Sequence, residues 1–426
     1  MRFFIGAIPI FDADSTVHAY IMMTKDGDKL LGAAEDFREL GGELLAPALE
    51  TVKDIGIEPF AMDKLFFVNV SKYQLLIGMP LTLKIPSENF ICVITQEALK
   101  DNAVFVKLGI LKRNGYRLAL DGAPEKLSID TAIRLFDFFL ISSESETFMD
   151  DMKTLQPHLH KTSIVITDVP DRDTFKKYSK VRGVYLSGNF YSQPITEGLK
   201  EISPLKINAL HLIKQLNDEN FDLGEAAQTI ERDPALSISL LRFLNSVNPN
   251  RSKKIDSIKT AVALLGQKEV QKWSTIAVSI GIGEDRPSEI TRLSLIRAKF
   301  AENLAPAFEM AIKQGVLFMS GLFSLLDVIL ERPMDKAIEE VAASDEVRAA
   351  LVDKTGPMYD VLSLIYAYEK ADWYNASLIM VRSNIDIAVL TKAFLDALLW
   401  YKQLLDTIDE ELEQDELNEQ IEQSEG

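Results

Sequence analysis

The chain has 426 residues, 47% hydrophobic and 26% charged, the balance of a globular protein of two or three domains rather than a disordered or fibrous one. Its net charge of −18, from 46 basic and 64 acidic residues, leaves no surplus of cations for phosphate backbones or anionic lipid surfaces, so nucleic-acid and membrane partners are disfavoured. The single cysteine, Cys92, excludes an internal disulfide framework and any cysteine zinc site, and no uninterrupted apolar run is long enough to cross a bilayer, so a cytoplasmic location is expected.

The first 195 residues alternate short β-type apolar runs with longer amphipathic stretches. Strands are predicted at Phe3–Ile10, Val17–Met23, Leu65–Val70, Phe90–Thr95, Arg117–Leu120, Phe136–Ile141, Ser163–Ile166 and Gly183–Leu186. The first of these, with Asp12 close behind it, reads as a strand rather than a secretory signal. Helix-length segments such as Lys29–Ile55 and Asp101–Asn114 lie between most of them. Eight such units predict a (β/α)8-type barrel, with an open doubly wound sheet as the alternative. The turn at Asp12–Ser15 makes the first two strands an antiparallel hairpin, a departure from the ideal barrel.

From Pro204 onward helical periodicity replaces alternation. Asp233 and Pro234 read as the N-cap and first residue of a helix whose Leu236, Leu240, Leu241 and Leu244 form one stripe, and Asn245 and Ser246 close it. Further helices are predicted at Asp256–Leu265, Lys268–Ser279, Glu289–Lys313, Val316–Leu330, Asp345–Val352, Met358–Lys370, Trp373–Ser383 and Asp386–Leu404. Gly266 suits a left-handed helix terminator. The resulting division is a barrel domain at 1–197, a helical domain at 198–405 and an acidic tail at 406–426. From Gln403 onward the chain has ten acids and no Lys or Arg, and the tail is expected to be mostly disordered.

Familiar catalytic motifs are missing. Of the four histidines, His18, His158, His160 and His211, none shows H-E-x-x-H spacing or sits beside an acid in a metal-ligand pattern, His158-Leu-His160 reads as a solvated loop pair ahead of a minor metal site, and there is no nucleophile elbow or phosphate-cradling glycine loop. Trp273, Trp373 and Trp400 suit interface anchors, though core packing is the commoner use of such residues.

Several stretches in order resemble a degenerate EAL domain followed by an HDOD domain, a pairing of bacterial signalling proteins related to cyclic-di-GMP turnover. Ala7-Ile-Pro-Ile-Phe-Asp12 is similar to the family's Q-P-I-F-D strand, with Ile8 in place of glutamine. Ala19-Tyr-Ile-Met-Met23 stands where the naming motif falls, with Ile21 at its glutamate. Phe67-Val-Asn-Val-Ser71 retains the asparagine as Asn69, and Val93 stands at a second metal-binding glutamate. Leu118-Ala-Leu-Asp121 retains one of two aspartates, the other being Gly122. Leu140 stands at the catalytic lysine, and Val169-Pro170-Asp171 at a later V-E-T pattern. Tyr185–Pro194 closes the domain as the family's G-Y-x-x-x-x-P end does. The helical half resembles HDOD domains at Arg232–Ser237, Leu240–Ser246, Ile258–Gly266 and Phe318–Asp327, with Ser324 and Leu325 where related hydrolases carry a His-Asp pair.

The resemblance implies a scaffold whose metal ligands are replaced by hydrocarbon, because Ile, Val, Gly and Pro supply no side-chain oxygen for Mg²⁺ or Mn²⁺. The expectation is therefore a non-enzymatic signalling protein without cofactor. Asn69 and Asp121 are its vestigial ligand-binding positions, more simply read as groups that satisfy loop backbone. Asp233, Pro234, Asn245, Ser246 and Gly266 are HDOD motif positions of structural or interaction use. Output through protein partners, in motility, biofilm or stress pathways, follows from the resemblance, and a homodimer is among the arrangements it allows. The alternatives are a metal-free cyclic-di-GMP receptor and a weak residual phosphodiesterase.

Overall fold

The computed structural model describes residues 3–26, 46–125, 127–194, 289–341 and 343–425, with isolated positions between 210 and 276. Asp233, Pro234, Asn245, Ser246, Trp273 and the helix predicted around Leu236–Leu244 lie outside the described residues.

The chain divides into two compact units, one formed by Met1–Gln193 together with Tyr366–Lys392, the other by Pro194–Ile365 and Ala393–Gly426. The first is a closed barrel of β1 (Phe3–Phe11), β2 (Val17–Asp26), β3 (Leu65–Asn69), β4 (Phe90–Thr95), β5 (Arg117–Asp121), β6 (Phe138–Ser142), β7 (Ser163–Thr167) and β8 (Val184–Ser187), neighbours in sequence order. β1 is antiparallel to both β2 and β8, and every other pair is parallel. A bulge at Ile10 and Phe11 bends β1 where it meets β8. Helices follow the parallel strands where the sequence supplies caps. Asp101 accepts the Ala103 amide at 2.9 Å ahead of helix Asn102–Arg113, and Ser128 and Asp171 cap the helices at Ile129–Leu135 and Arg172–Tyr178.

Alternate residues of the strands fill the barrel. Ile10, Ala19, Ile21, Phe67, Ile91, Val93, Ala119, Phe138, Leu140 and Val165 form one buried cluster, so the interior is a packed core and not a pore. At the opposite end from the strand C-termini, Asp137 accepts both Lys112 Nζ, at 2.8 Å, and the Leu118 amide, at 2.9 Å. This ties β5, β6 and the helix between β4 and β5 together.

The described part of the second unit is helical. The stretches predicted as single helices over Glu289–Lys313 and Val316–Leu330 are each broken. Helix Glu289–Leu304 passes into a 3₁₀ turn at Ala305–Phe308, where Pro306 has no amide to continue the ladder. Helices Gln314–Leu322 and Leu326–Leu330 are separated by a 3₁₀ turn at Phe323–Leu325. A helix at Met334–Val341 was not expected from the sequence. The first two helices cross at Gly321, where an added Cβ would lie 2.6 Å from the Ala298 Cα. The stretch Ala311–Leu330 is long and apolar enough to cross a membrane, and 61% of it is buried inside the protein. Gly266 has φ 75°, the left-handed backbone expected of it.

The last helix runs from Ile387 to Glu425, so the tail is helical backbone where disorder was expected. Extending an existing helix needs no new nucleus, and Glu, Gln and Leu are good helix formers.

Candidate functional site at the barrel mouth

Strand alternation decides what faces the mouth. Phe67, Val93, Ala119, Leu140 and Val165 point inward. Two residues further along each strand come Asn69, Thr95, Asp121, Ser142 and Thr167, all half-buried and all at strand C-termini. Five consecutive strands thus contribute a ring of one amide, one carboxylate and three hydroxyls. The two predicted positions, Asn69 and Asp121, fall in this ring on β3 and β5, with Thr95 of β4 paired to Asp121 and Val93 to Asn69. Thr95, Ser142 and Thr167 were missed, although their spacing of two from an inward apolar residue is visible in the sequence.

The loops above the ring are tightly specified. Gly122 has φ 93°, a conformation that strains any residue with a side chain, and its amide reaches the Leu140 carbonyl at 2.8 Å. The Gln96 side-chain amide donates to the Ala123 carbonyl in the same loop. Asp168, next after β7, is also left-handed with φ 57°. Its carbonyl accepts the Ser143 hydroxyl at 2.7 Å, and its carboxylate accepts the Thr167 hydroxyl at 3.0 Å. A non-glycine residue held this way at a barrel mouth is a functional-site signal that sequence reading did not provide. An added Cβ at Gly188, after β8, would fall inside the Val169 backbone, so only glycine lets these loops meet.

Beneath the ring the layer is hydrocarbon. Ile21 is 8% exposed, Val93 2% and Leu140 7%. Asp171 of the V-E-T-like segment is occupied otherwise. It caps helix Arg172–Tyr178 by accepting the Thr174 amide at 2.7 Å, and this bond holds its carboxyl below the usual carboxylate range. Among the described residues no three His, Cys, Asp or Glu side chains lie close enough to hold a metal ion. Among the described strand ends the ring supplies one carboxylate, Asp121, with the exposed Asp168 following β7, and its other side-chain oxygens are neutral. This donor set does not fit the two-metal centre that the EAL resemblance implies.

Burial shifts other titratable groups of the barrel. Burial pushes the Cys92 thiol far above its ordinary range. His18 stacks on Tyr185 with ring centroids 4.2 Å apart, and burial lowers its pKa against the opposing pull of Asp12. In the second unit, Ser324 and Leu325 are buried. Ser324 donates to the Gly321 carbonyl at 2.6 Å and accepts Arg297 Nη1 at 3.1 Å. A guanidinium therefore adjoins the position where related hydrolases carry a His-Asp pair. Trp373 is core, and Trp400 meets Phe318 edge-on at 6.1 Å.

Residues 202–353 match the HDOD domain family. The uncharacterized protein YuxH of Bacillus subtilis is 26% identical over 415 residues, 95% of this chain and 100% of that one. The cyclic di-GMP phosphodiesterase CdgJ of Vibrio cholerae is 23% identical over 404 residues, 94% of this chain and 93% of that one. Among solved structures, the FimX EAL domain from Pseudomonas aeruginosa bound to c-di-GMP is similar over 45% of this chain and 90% of its own, at 14% identity and TM-score 0.31. Klebsiella pneumoniae BlrP1 in its calcium and cyclic-di-GMP complex is similar over 47% of this chain and 58% of its own, at 14% identity and TM-score 0.34.

The expectation that the chain is not an enzyme is corrected by CdgJ, a relative aligned along nearly the whole chain that is named a phosphodiesterase. The hydrocarbon at Ile21, Val93 and Leu140 speaks to metal ligation at those positions. It does not speak to whether the chain is an enzyme. The first half is thus a closed eight-strand barrel whose opening strand pair is antiparallel, as the turn at Asp12–Ser15 predicts, and residues 202–353, which follow it in the chain, match the HDOD domain family.

Proposed function

We propose that this chain is a cytoplasmic protein of cyclic-di-GMP signalling, in which the barrel mouth meets the dinucleotide and the HDOD domain passes the result to a protein partner. The observation that carries this reading is the inward ring of Asn69, Thr95, Asp121, Ser142 and Thr167, in a chain related along most of its length to a cyclic di-GMP phosphodiesterase. Amide and hydroxyl donors suit phosphate oxygens. A carboxylate such as Asp121 suits the N1–H and amino donors of a guanine edge, since it accepts two hydrogen bonds side by side.

Two measurements on the full chain test this together. Calorimetric titration with cyclic-di-GMP reads binding, and chromatography of the dinucleotide after incubation with Mg²⁺ or Mn²⁺ reads turnover. Binding or turnover that falls at least about tenfold in Asp121→Ala is expected, the loss of a charge-assisted hydrogen bond. No heat and no product at high dinucleotide concentration refutes the reading. Metal-free binding is favoured by the neutral oxygens of the ring, and titration in the presence of EDTA separates it from metal-assisted turnover.

A further inference from the structure

The segment Tyr366–Lys392 comes from the far end of the chain, yet it belongs to the compact unit of the barrel. One hydroxyl ties it to the first strand. Tyr368 accepts the Ile5 amide at 3.1 Å and donates to the Ile5 carbonyl, 363 residues away in sequence. Tyr368 is buried, and burial pushes its hydroxyl above the ordinary tyrosine range, so it stays a donor at any working pH. Around it Phe4 stacks on Trp373 with centroids 4.7 Å apart, and Tyr368 meets Trp373 edge-on at 5.5 Å.

The place that is gripped is specific. β8 pairs only with Ile10 and Phe11 of β1. β3 pairs with β2 from Ala19 to Ile21, whereas Ile5 pairs with Thr24, three residues further on. At about 3.3 Å per residue the hairpin overhangs β3 by roughly 10 Å and β8 by roughly 16 Å at this point. The overhang lies on the side of the strand C-termini, beyond the level at which β2 runs beside the strand ending in Asn69. Because one hydroxyl takes both polar groups of Ile5, those groups face the open edge of β1 rather than β2. At Ile5 the overhang therefore owes its edge bonds to the distant segment.

We infer that Tyr366–Lys392 is a strap that clamps the β1–β2 overhang beside the mouth and so couples the state of the helical half to the mouth. The chain leaves the barrel unit at Gln193, returns at Tyr366 and leaves again after Lys392, so the strap is covalently continuous with the second unit at both ends. Any rearrangement that moves Ile365 or Ala393 loads the strap. Releasing Tyr368 frees the edge of Ile5 and loosens the rim next to Asn69. This inference rests on the reading of the mouth as the dinucleotide site.

The test is Tyr368→Phe in the full chain. It keeps the ring between Phe4 and Trp373 and removes only the hydroxyl. Tyr374→Phe, an exposed tyrosine of the same segment, is the control. Amide hydrogen exchange is followed at 3–11, at the mouth segments 65–71 and 117–123, and at 102–113 as a distant reference. Expected are exchange at least about fivefold faster at 3–11 and a measurable increase at 65–71, with the control and the reference unchanged. Unchanged exchange at 3–11 overturns the clamp. Faster exchange confined to 3–11 overturns the coupling to the mouth. The affinity or turnover of cyclic-di-GMP is expected to change at least about threefold in Tyr368→Phe alone. If the unaltered chain neither binds nor hydrolyses the dinucleotide, the functional reading fails, and exchange at 65–71 still decides the strap.

Discussion

Replacing Ile21 by Glu puts the carboxylate implied by the EAL resemblance back at its position, and the structure sets the outcome. Ile21 is 8% exposed and packs in the cluster with Ile10, Ala19 and Phe67. Losing its burial costs about 2 kcal/mol. Charging a carboxyl in that layer costs more, because desolvation raises a buried carboxyl pKa by about 3 units and each unit is about 1.4 kcal/mol. The sum near neutral pH is about 6 kcal/mol, comparable to the whole stability of a domain. The folded-state pKa is raised, so the charging part of the penalty is absent below the unfolded-state value of about 4.3, grows as pH rises, and is full above the folded-state value. Urea denaturation of Ile21→Glu against the unaltered chain, at pH 4 and pH 8, reads this directly. A deficit that is large at pH 8 and shrinks toward pH 4 is expected, with no rescue by Mn²⁺. A variant as stable as the parent at both pH values would refute the dry interior layer. A deficit abolished by Mn²⁺ would refute the conclusion that the mouth does not fit a metal centre.

Three further outcomes are expected. Gly188→Ala drives a Cβ into the Val169 backbone, which has no flexible end to yield, and breaks the 3.0 Å bond from the Val169 amide to the Ser187 carbonyl; a loss of about 2–3 kcal/mol in urea denaturation is expected. Cys92 is fully buried with its thiol pKa raised, so a thiol reagent at pH 8 reacts with the native chain only at the rate of unfolding and with the urea-unfolded chain at once. The Asp171 carboxyl is held low in the fold by the Thr174 amide, so its contribution is present above its unfolded pKa of about 3.9 and is lost as pH falls through the folded value. Asp171→Asn is expected to flatten the stability profile below pH 4 and leave it parallel to that of the parent from pH 6 to 8.

The site was partly legible. Asn69 and Asp121 could be found because each ends a strand whose apolar residues mark the inward face. Asp168 could not, because its left-handed backbone and the bond from the Ser143 hydroxyl, which follows the neighbouring strand, leave no pattern in the chain. Pattern reading of the tail failed for a related reason. Few apolar groups argue against an isolated helix, but this one continues a packed helix that begins at Ile387.

Local periodicity determined the eight strands, since a strand buried on both faces writes its length into consecutive residues, and the turn at Asp12–Ser15 the antiparallel opening pair; that the sheet closes into a barrel rather than staying open and doubly wound was decided by the tertiary structure. The sequence also determined the helical character of the second half and the hydrocarbon at Ile21, Val93 and Leu140. Only the tertiary structure decided that Tyr368 reaches Ile5, that Trp373 stacks on Phe4, and that Tyr366–Lys392 belongs with the barrel. A contact across 363 residues leaves no period in the chain; it exists because the overhanging edge of β1 has backbone groups to satisfy and the fold brings a hydroxyl to them.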